Sequence, residues 1–221
     1  VRVRLHIRFG VGAWRGFGDG VRILRGEETT SELPRQLTSL GAESPLIVTD
    51  SNLANGDALG FVTDELDDAG VTYTVFSGIE PNPTLENVRV GFGKYKEQGA
   101  DSVIGVGGGS CLAAAKAISV KATSDSPLES YHGVDQLETG TVPCIAVPTT
   151  VGTGSEVSQG MVITDGERGE KLDIIDDRLS PGMHLEAAEA VLDEAAATML
   201  ANDGLVMGAI EAAHERLREH A

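Results

Sequence analysis

The chain has 221 residues, 41% of them hydrophobic, enough to bury a full core and too apolar for a disordered polypeptide. Its 34 acidic residues outweigh 17 basic ones and leave a net charge of −17, a field that repels nucleic acid and anionic membranes. No apolar run reaches membrane-spanning length and the start carries no signal peptide, so elimination points to a cytoplasmic protein.

The opening "VRVRLHIRF" alternates strictly, with Val1, Val3, Leu5, Ile7 and Phe9 on one face and Arg2, Arg4, His6 and Arg8 on the other. That pattern predicts a half-buried strand with a solvated basic face. After a glycine-rich turn, "SELPRQLTSLGAES" predicts a helix and "PLIVTD" a strand ending at Asp50. "DALGFVTDELDDAG" follows as a helix and "VTYTVFS" as a strand. "PNPTLENVRVGFGKYKEQG" starts a helix with Asn82 as N-cap and Pro83 at the first position. Leu85, Val88, Phe92 and Tyr95 form its apolar stripe. "DSVIGV" is a strand, three glycines turn the corner, and an Ala-rich helix runs from Leu112 through Lys116, Ala117 and Ile118. "PCIAVPTT" is a further strand and "MVITD" a shorter one, and from Leu185 the chain becomes Ala/Glu-rich and helical. Strands alternating with helices predict an α/β fold, a parallel sheet covered on both faces. A boundary near Pro181 divides it into 1–180 and a helical segment, 181–221.

The acid is dispersed, as in Asp64, Glu65, Asp67 and Asp68, and arginine supplies most of the positive charge. A salt-adapted protein and an ordinary acidic one both fit, the salt-adapted one better. Cys111 and Cys144 show no metal-ligand spacing and are expected to be buried free thiols.

In parallel sheets ligands bind at the carboxyl ends of strands. Three corners qualify: Asp50 with Ser51, Gly107 to Ser110, and Pro148 to Glu156. The segment Gly105 to Ser110 reads G-V-G-G-G-S and departs from the G-x-G-x-x-G pattern, since Ser110 stands at the third glycine. Taken alone, this corner fits a phosphate site and mere close packing equally. In "VPTTVGTGSEVSQG", Thr149, Thr150, Thr153 and Ser155 alternate with Gly152 and Gly154. Hydroxyls beside unhindered backbone suit phosphate or ribose. Glu156, the carboxylate of that loop, is expected to brace it.

The blocks "EPNPTLENV", "GGGSCLAAAKAI", "PTTVGTGSEV" and "VITDGERGEK", in this order and spacing, closely resemble the iron-containing (group III) alcohol dehydrogenases from Val21 to Pro181. Glycerol dehydrogenases and dehydroquinate synthases share that architecture, but "PTTVGTGSEV" fits the alcohol dehydrogenase branch better. The resemblance implies a Rossmann-like NAD(P)-binding domain, then an all-helical domain holding Fe²⁺ or Zn²⁺. By the same resemblance Asp50 matches the acid that accepts from the adenosine ribose, which favours NAD over NADP. Asn82 matches a cofactor contact, in competition with its cap role. Gly108, Gly109 and Ser110 match the pyrophosphate loop, and Thr149, Thr150 and Thr153 the second loop around the cofactor. Val162 and Lys171 match positions near the ribose and nicotinamide.

Two departures bear on catalysis. Where the family carries proline and then, two residues on, aspartate, this chain has Cys111 and Ala113. The Asp and His that open the family's metal site fall on Gly204 and Gly208; a one-residue shift recovers Asp203 but sets Met207 at the His position. The family's other histidine ligands fall past Ala221. His214 and His220 are expected to be exposed, and His132 and His184 structural or on the surface. The expected activity is hydride transfer between an alcohol and an aldehyde or ketone with NAD, weak or absent in this polypeptide alone. A homo-oligomer, a dimer for preference, is expected, because truncation would bare an apolar face. The alternatives are a non-catalytic nucleotide-binding module and a folded remnant that binds nothing.

Overall fold

The computed structural model describes residues 22–26, 29–150, 152–181 and 183–187. The predicted strand over residues 1–9 and the part of the predicted helical segment from 188 onward, with His214, His220, Asp203, Gly204, Met207 and Gly208, lie outside them.

In chain order the elements are β1 (Arg22–Gly26), α1 (Leu33–Ser39), β2 (Pro45–Asp50), α2 (Ser51–Asn55), α3 (Gly60–Asp68), β3 (Thr74–Ile79), α4 (Leu85–Glu97), β4 (Ser102–Gly107), α5 (Gly109–Lys121), β5 (Gly133–Val134), β6 (Cys144–Pro148), β7 (Gly160–Asp165), β8 (Glu170–Ile175) and β9 (Met183–Ala187). Six of these strands form one sheet in the order β1-β9-β6-β4-β2-β3, every pairing parallel. This is the parallel sheet that the alternating pattern predicts, in the Rossmann-like arrangement that the resemblance implies. From β2 the chain goes to β3 on one side and then returns to β4 on the other, so the strand order reverses between β2 and β4. A crevice opens at the carboxyl ends of two strands where this happens.

The central strands are apolar on both faces because both faces are covered. Leu46, Val48 and Val103 pack with α4 and α5 in one core. Ile47, Ile104, Val106, Ile145 and Val147 pack with Leu33 and Leu37 of α1 and Val62 and Leu66 of α3 in the other. Asp50, in phase with Leu46 and Val48, faces the α5 side. From Cys111 to Val120 every residue of α5 is buried, for this helix is sandwiched between the sheet, α4 and β7.

Three findings differ from expectation. First, Asn82 is not the N-cap of α4. Thr84 caps it, its hydroxyl accepting from Asn87 N at 3.1 Å while Asn87 Oδ1 accepts from Thr84 N at 3.0 Å. Asn82 sits at φ 59°, incompatible with the extended backbone of a cap, and Pro83 precedes the cap. Second, Leu185–Ala187 belong to β9, where parallel pairing with β1 and β6 overrides their helical composition; the sheet thus runs past Pro181. Third, β7 is not part of the main sheet. It pairs antiparallel with β8, and β8 parallel with β5, in a second sheet ordered β5-β8-β7. The hairpin turns at Asp165, whose Oδ1 accepts from Glu167 N and Arg168 N.

Candidate functional site

The three corners converge because their strands are neighbours: β2, β4 and β6 lie side by side and end together. Asp50 closes β2, and its Oδ1 caps α2 by accepting from Asn52 N at 2.9 Å and Leu53 N at 3.0 Å. The Cys111 thiol points at Asp50 Oδ2 from 3.6 Å. Burial, and then the neighbouring carboxylate, push that thiol up to about 12, so it stays protonated and able to donate. The expected free thiols are both buried.

The glycines of the corner divide into two jobs. Gly107 has φ 142°, and a Cβ there would lie 2.6 Å from Cys111 Sγ and 3.2 Å from Leu53 Cδ1; it is a packing glycine. Gly108 and Gly109 instead face the hydroxyl-rich loop. A Cβ on Gly108 would lie 3.2 Å from Thr150 Oγ1, and one on Gly109 would lie 3.1 Å from Ser155 Oγ and 3.3 Å from Thr153 Cβ. Bare backbone at these two positions lets the loop approach the start of α5. Gly108 is the N-cap of that helix and offers no side chain to its first amides, which are short of intrahelical acceptors. Thr149 N is tied to Gly107 O at 3.1 Å, so the two corners are also joined through the main chain. Inside the loop Ser155 N donates to Thr153 Oγ1, and Thr153 Oγ1 donates to Glu156 Oε2 at 3.3 Å. Glu156 thus braces the loop.

Asn82, Val162 and Lys171 collect in a second patch. Val162 and Lys171 lie on the exposed side of the β7–β8 hairpin, opposite Asp173 and Thr164 respectively. Thr164 N donates to Pro83 O at 2.8 Å, which brings the exposed Asn82 to the same hairpin. Lys171 also lines an open depression of about 510 Å³ with Glu129, His132, Arg168, Glu170 and Leu172, residues of neither loop. His132 is structural in part, its Nδ1 accepting from Asp173 N at 3.2 Å.

One polar residue escaped the sequence reading. Lys116 lies in the middle of α5, 1% exposed, and its ammonium donates to Ser158 O at 2.7 Å, Ser158 Oγ at 3.1 Å and Gly160 O at 3.1 Å. Burial pulls its pKa down to about 8, opposed by the more distant Cys144 and Glu156. The signal in the sequence was a lysine inside an otherwise apolar helix with no polar face to carry it.

Chemically, uncapped amides, three threonine hydroxyls and a half-buried carboxylate suit a ligand carrying both an anion and sugar hydroxyls. An NAD-type dinucleotide fits that donor set. A metal does not: among the described residues no group of three or more His, Cys, Asp or Glu could hold an ion. Nor is any described helix long and apolar enough to cross a membrane.

Residues 20–185 match the family model described as "Iron-containing alcohol dehydrogenase". The NAD-dependent methanol dehydrogenase of Bacillus methanolicus is 32% identical over 176 residues, 80% of this chain and 46% of that protein. The crystal structure of a 1,3-propanediol oxidoreductase superposes with a TM-score of 0.77 at 31% identity, covering 81% of this chain and 47% of that one. The sulfoacetaldehyde reductase of Bifidobacterium kashiwanohense, solved in complex with NAD⁺, gives a TM-score of 0.71 at 27% identity over 81% of this chain and 48% of that one. The chain therefore spans a little under half the length of these relatives. With three quarters of its residues inside the family model and this superposition on solved members, it belongs to the iron-containing alcohol dehydrogenase family.

Proposed function

We propose that this chain carries the NAD-binding part of an alcohol dehydrogenase that moves a hydride between a small alcohol and the matching aldehyde or ketone. The observation that carries the reading is the meeting of Asp50, the uncapped start of α5 and the Thr149–Thr153 loop at the end of three adjacent parallel strands. In this reading the amides of Gly109 and Ser110 hold the pyrophosphate, with Gly108 giving it access. Thr149, Thr150 and Thr153 close over it, and Asp50 accepts from the adenosine ribose. Asn82, Val162 and Lys171 flank the nicotinamide half. When bound, NAD supplies the hydride acceptor; the protein's part is to orient it and to hold water off.

No step is drawn through the family's metal, since the described residues offer no ligand set. We place the domain boundary at the end of the main sheet, a few residues past the Pro181 expected from the sequence, and a homodimer is the assembly we favour. A non-catalytic nucleotide-binding role is the second reading, favoured by Cys111 and Ala113 in place of the family's proline and aspartate. Turnover of small alcohols with NAD and added Fe²⁺ or Zn²⁺ would exclude it.

The first test is calorimetric titration of the 221-residue chain with NAD and NADP. Saturable binding that prefers NAD is expected, and Asp50→Asn is expected to erode that preference by about tenfold, the worth of a charge-assisted hydrogen bond. Binding of neither nucleotide would overturn the reading.

A further inference from the structure

Lys116 is buried within α5, yet no substrate-facing role accounts for it. Its three donors meet three neutral oxygens, all on Ser158 and Gly160. Those residues form the exit of the hydroxyl-rich loop and the start of β7. From there the contacts run back toward the corner. Ser158 Oγ reaches Ser155 O at 3.4 Å, and Ser155 N donates to Thr153 Oγ1 at 3.3 Å. Thr153 and Ser155 are the residues that lie over Gly109. The loop thus meets α5 twice, lying over the helix's first residue and hydrogen-bonded to it two turns further down.

We propose that Lys116 is a positioning residue for the cofactor: its ammonium fixes the hydroxyl-rich loop to the same helix whose first turn receives the pyrophosphate. This rests on the corner being the NAD site. An apolar residue at 116 would leave the carbonyls of Ser158 and Gly160 without their buried donor. The loop would then be free to lift from Gly108 and Gly109. A lysine suits the task because one ammonium serves three acceptors that converge from different directions. Glu156 in the loop and the Cys144 thiol on β6 are the titratable groups that face it, and neither is among its hydrogen-bond partners.

Lys116→Met keeps the length of the side chain and removes the donors. Hydrogen exchange of the ligand-free chain and NAD titration are run on the wild type, on Lys116→Met and on Ser158→Ala, which removes one of the ammonium's three acceptors together with the hydroxyl's own contacts to Ser155 O and Gly160 O. Expected for Lys116→Met is exchange about tenfold faster over residues 152–158, unchanged in β4 and β6, with NAD affinity about tenfold weaker. Ser158→Ala moves both in the same direction by less, and carries the test if Lys116→Met does not fold. A residue that merely stabilised the core would instead speed exchange in β4 and β6 as well. If the wild type binds NAD and both variants bind it equally, the positioning role falls while the cofactor reading stands. If the wild type binds no NAD, both fall.

Discussion

Asp50 ends β2 with one oxygen committed to two amides of α2 and the other facing the Cys111 thiol. A carboxylate has about four acceptor directions, so it can still receive a ribose hydroxyl. This double duty makes Asp50 a residue whose loss is felt in folding as well as binding. Gly107 is constrained more tightly still. Its positive φ and the 2.6 Å approach of a Cβ to Cys111 Sγ predict that Gly107→Ala costs about 2–4 kcal/mol in urea unfolding; an unchanged midpoint would mean that the corner yields. Asp50, the glycines and the hydroxyls were legible because each closes or follows a strand, and in a parallel sheet strand ends share an edge. Lys116 was not, since only the packing of α5 on β7 shows where its ammonium ends.

At the scale of elements, α5 governs how stability depends on pH. The Lys116 pKa is lowered to about 8 from 10.5, so the unfolded chain binds the proton more tightly. Folding therefore bears the cost of the buried charge below pH 8 and sheds it as the pH rises. Cys111 and Cys144 shift the other way, from 9.0 up to about 12 and about 11, and they weaken the fold above pH 9. The unfolding free energy should accordingly stay nearly level from pH 8 to pH 9, where Lys116 adds about 1 kcal/mol and the two thiols withdraw most of it, and then fall. Denaturant midpoints across that range check the sign, and a monotonic fall from pH 8 would show that Lys116 stays charged. Among the elements, β2, β4 and β6 were readable as continuous apolar runs covered on both faces. The start of α4 was misplaced because Asn82 and Thr84 are both cap-forming types, and the tie went to the residue with Asn87 at the right spacing. The second sheet was hidden because the alternation in β8 is short: Glu170 and Lys171 are both charged before it, and Ile174 and Ile175 break the two-residue period after it.

Over the whole molecule the −17 charge sets self-repulsion against a few exposed ion pairs. Arg35–Glu32, Arg89–Glu86 and Lys94–Glu97 are local, solvent-facing pairs within one helix or at its start, each contributing little and fading in salt. Repulsion among the surplus carboxylates therefore wins. Melting temperature should climb by about 5 °C or more between dilute buffer and molar KCl, where the screening length shrinks to about 3 Å. A falling melting temperature would put the ion pairs in charge and remove the case for salt adaptation. The sheet's connectivity carries a different consequence. β9 is the last strand described, yet it sits between β6 and β1 and pairs with both. As the ribosome delivers the chain, β6 therefore emerges with an open flank, and β1 waits for a partner made at the far end of the domain. Until Ala187 is out, two unpaired strand edges face other copies of the chain, and in that interval the dense negative charge keeps those copies apart.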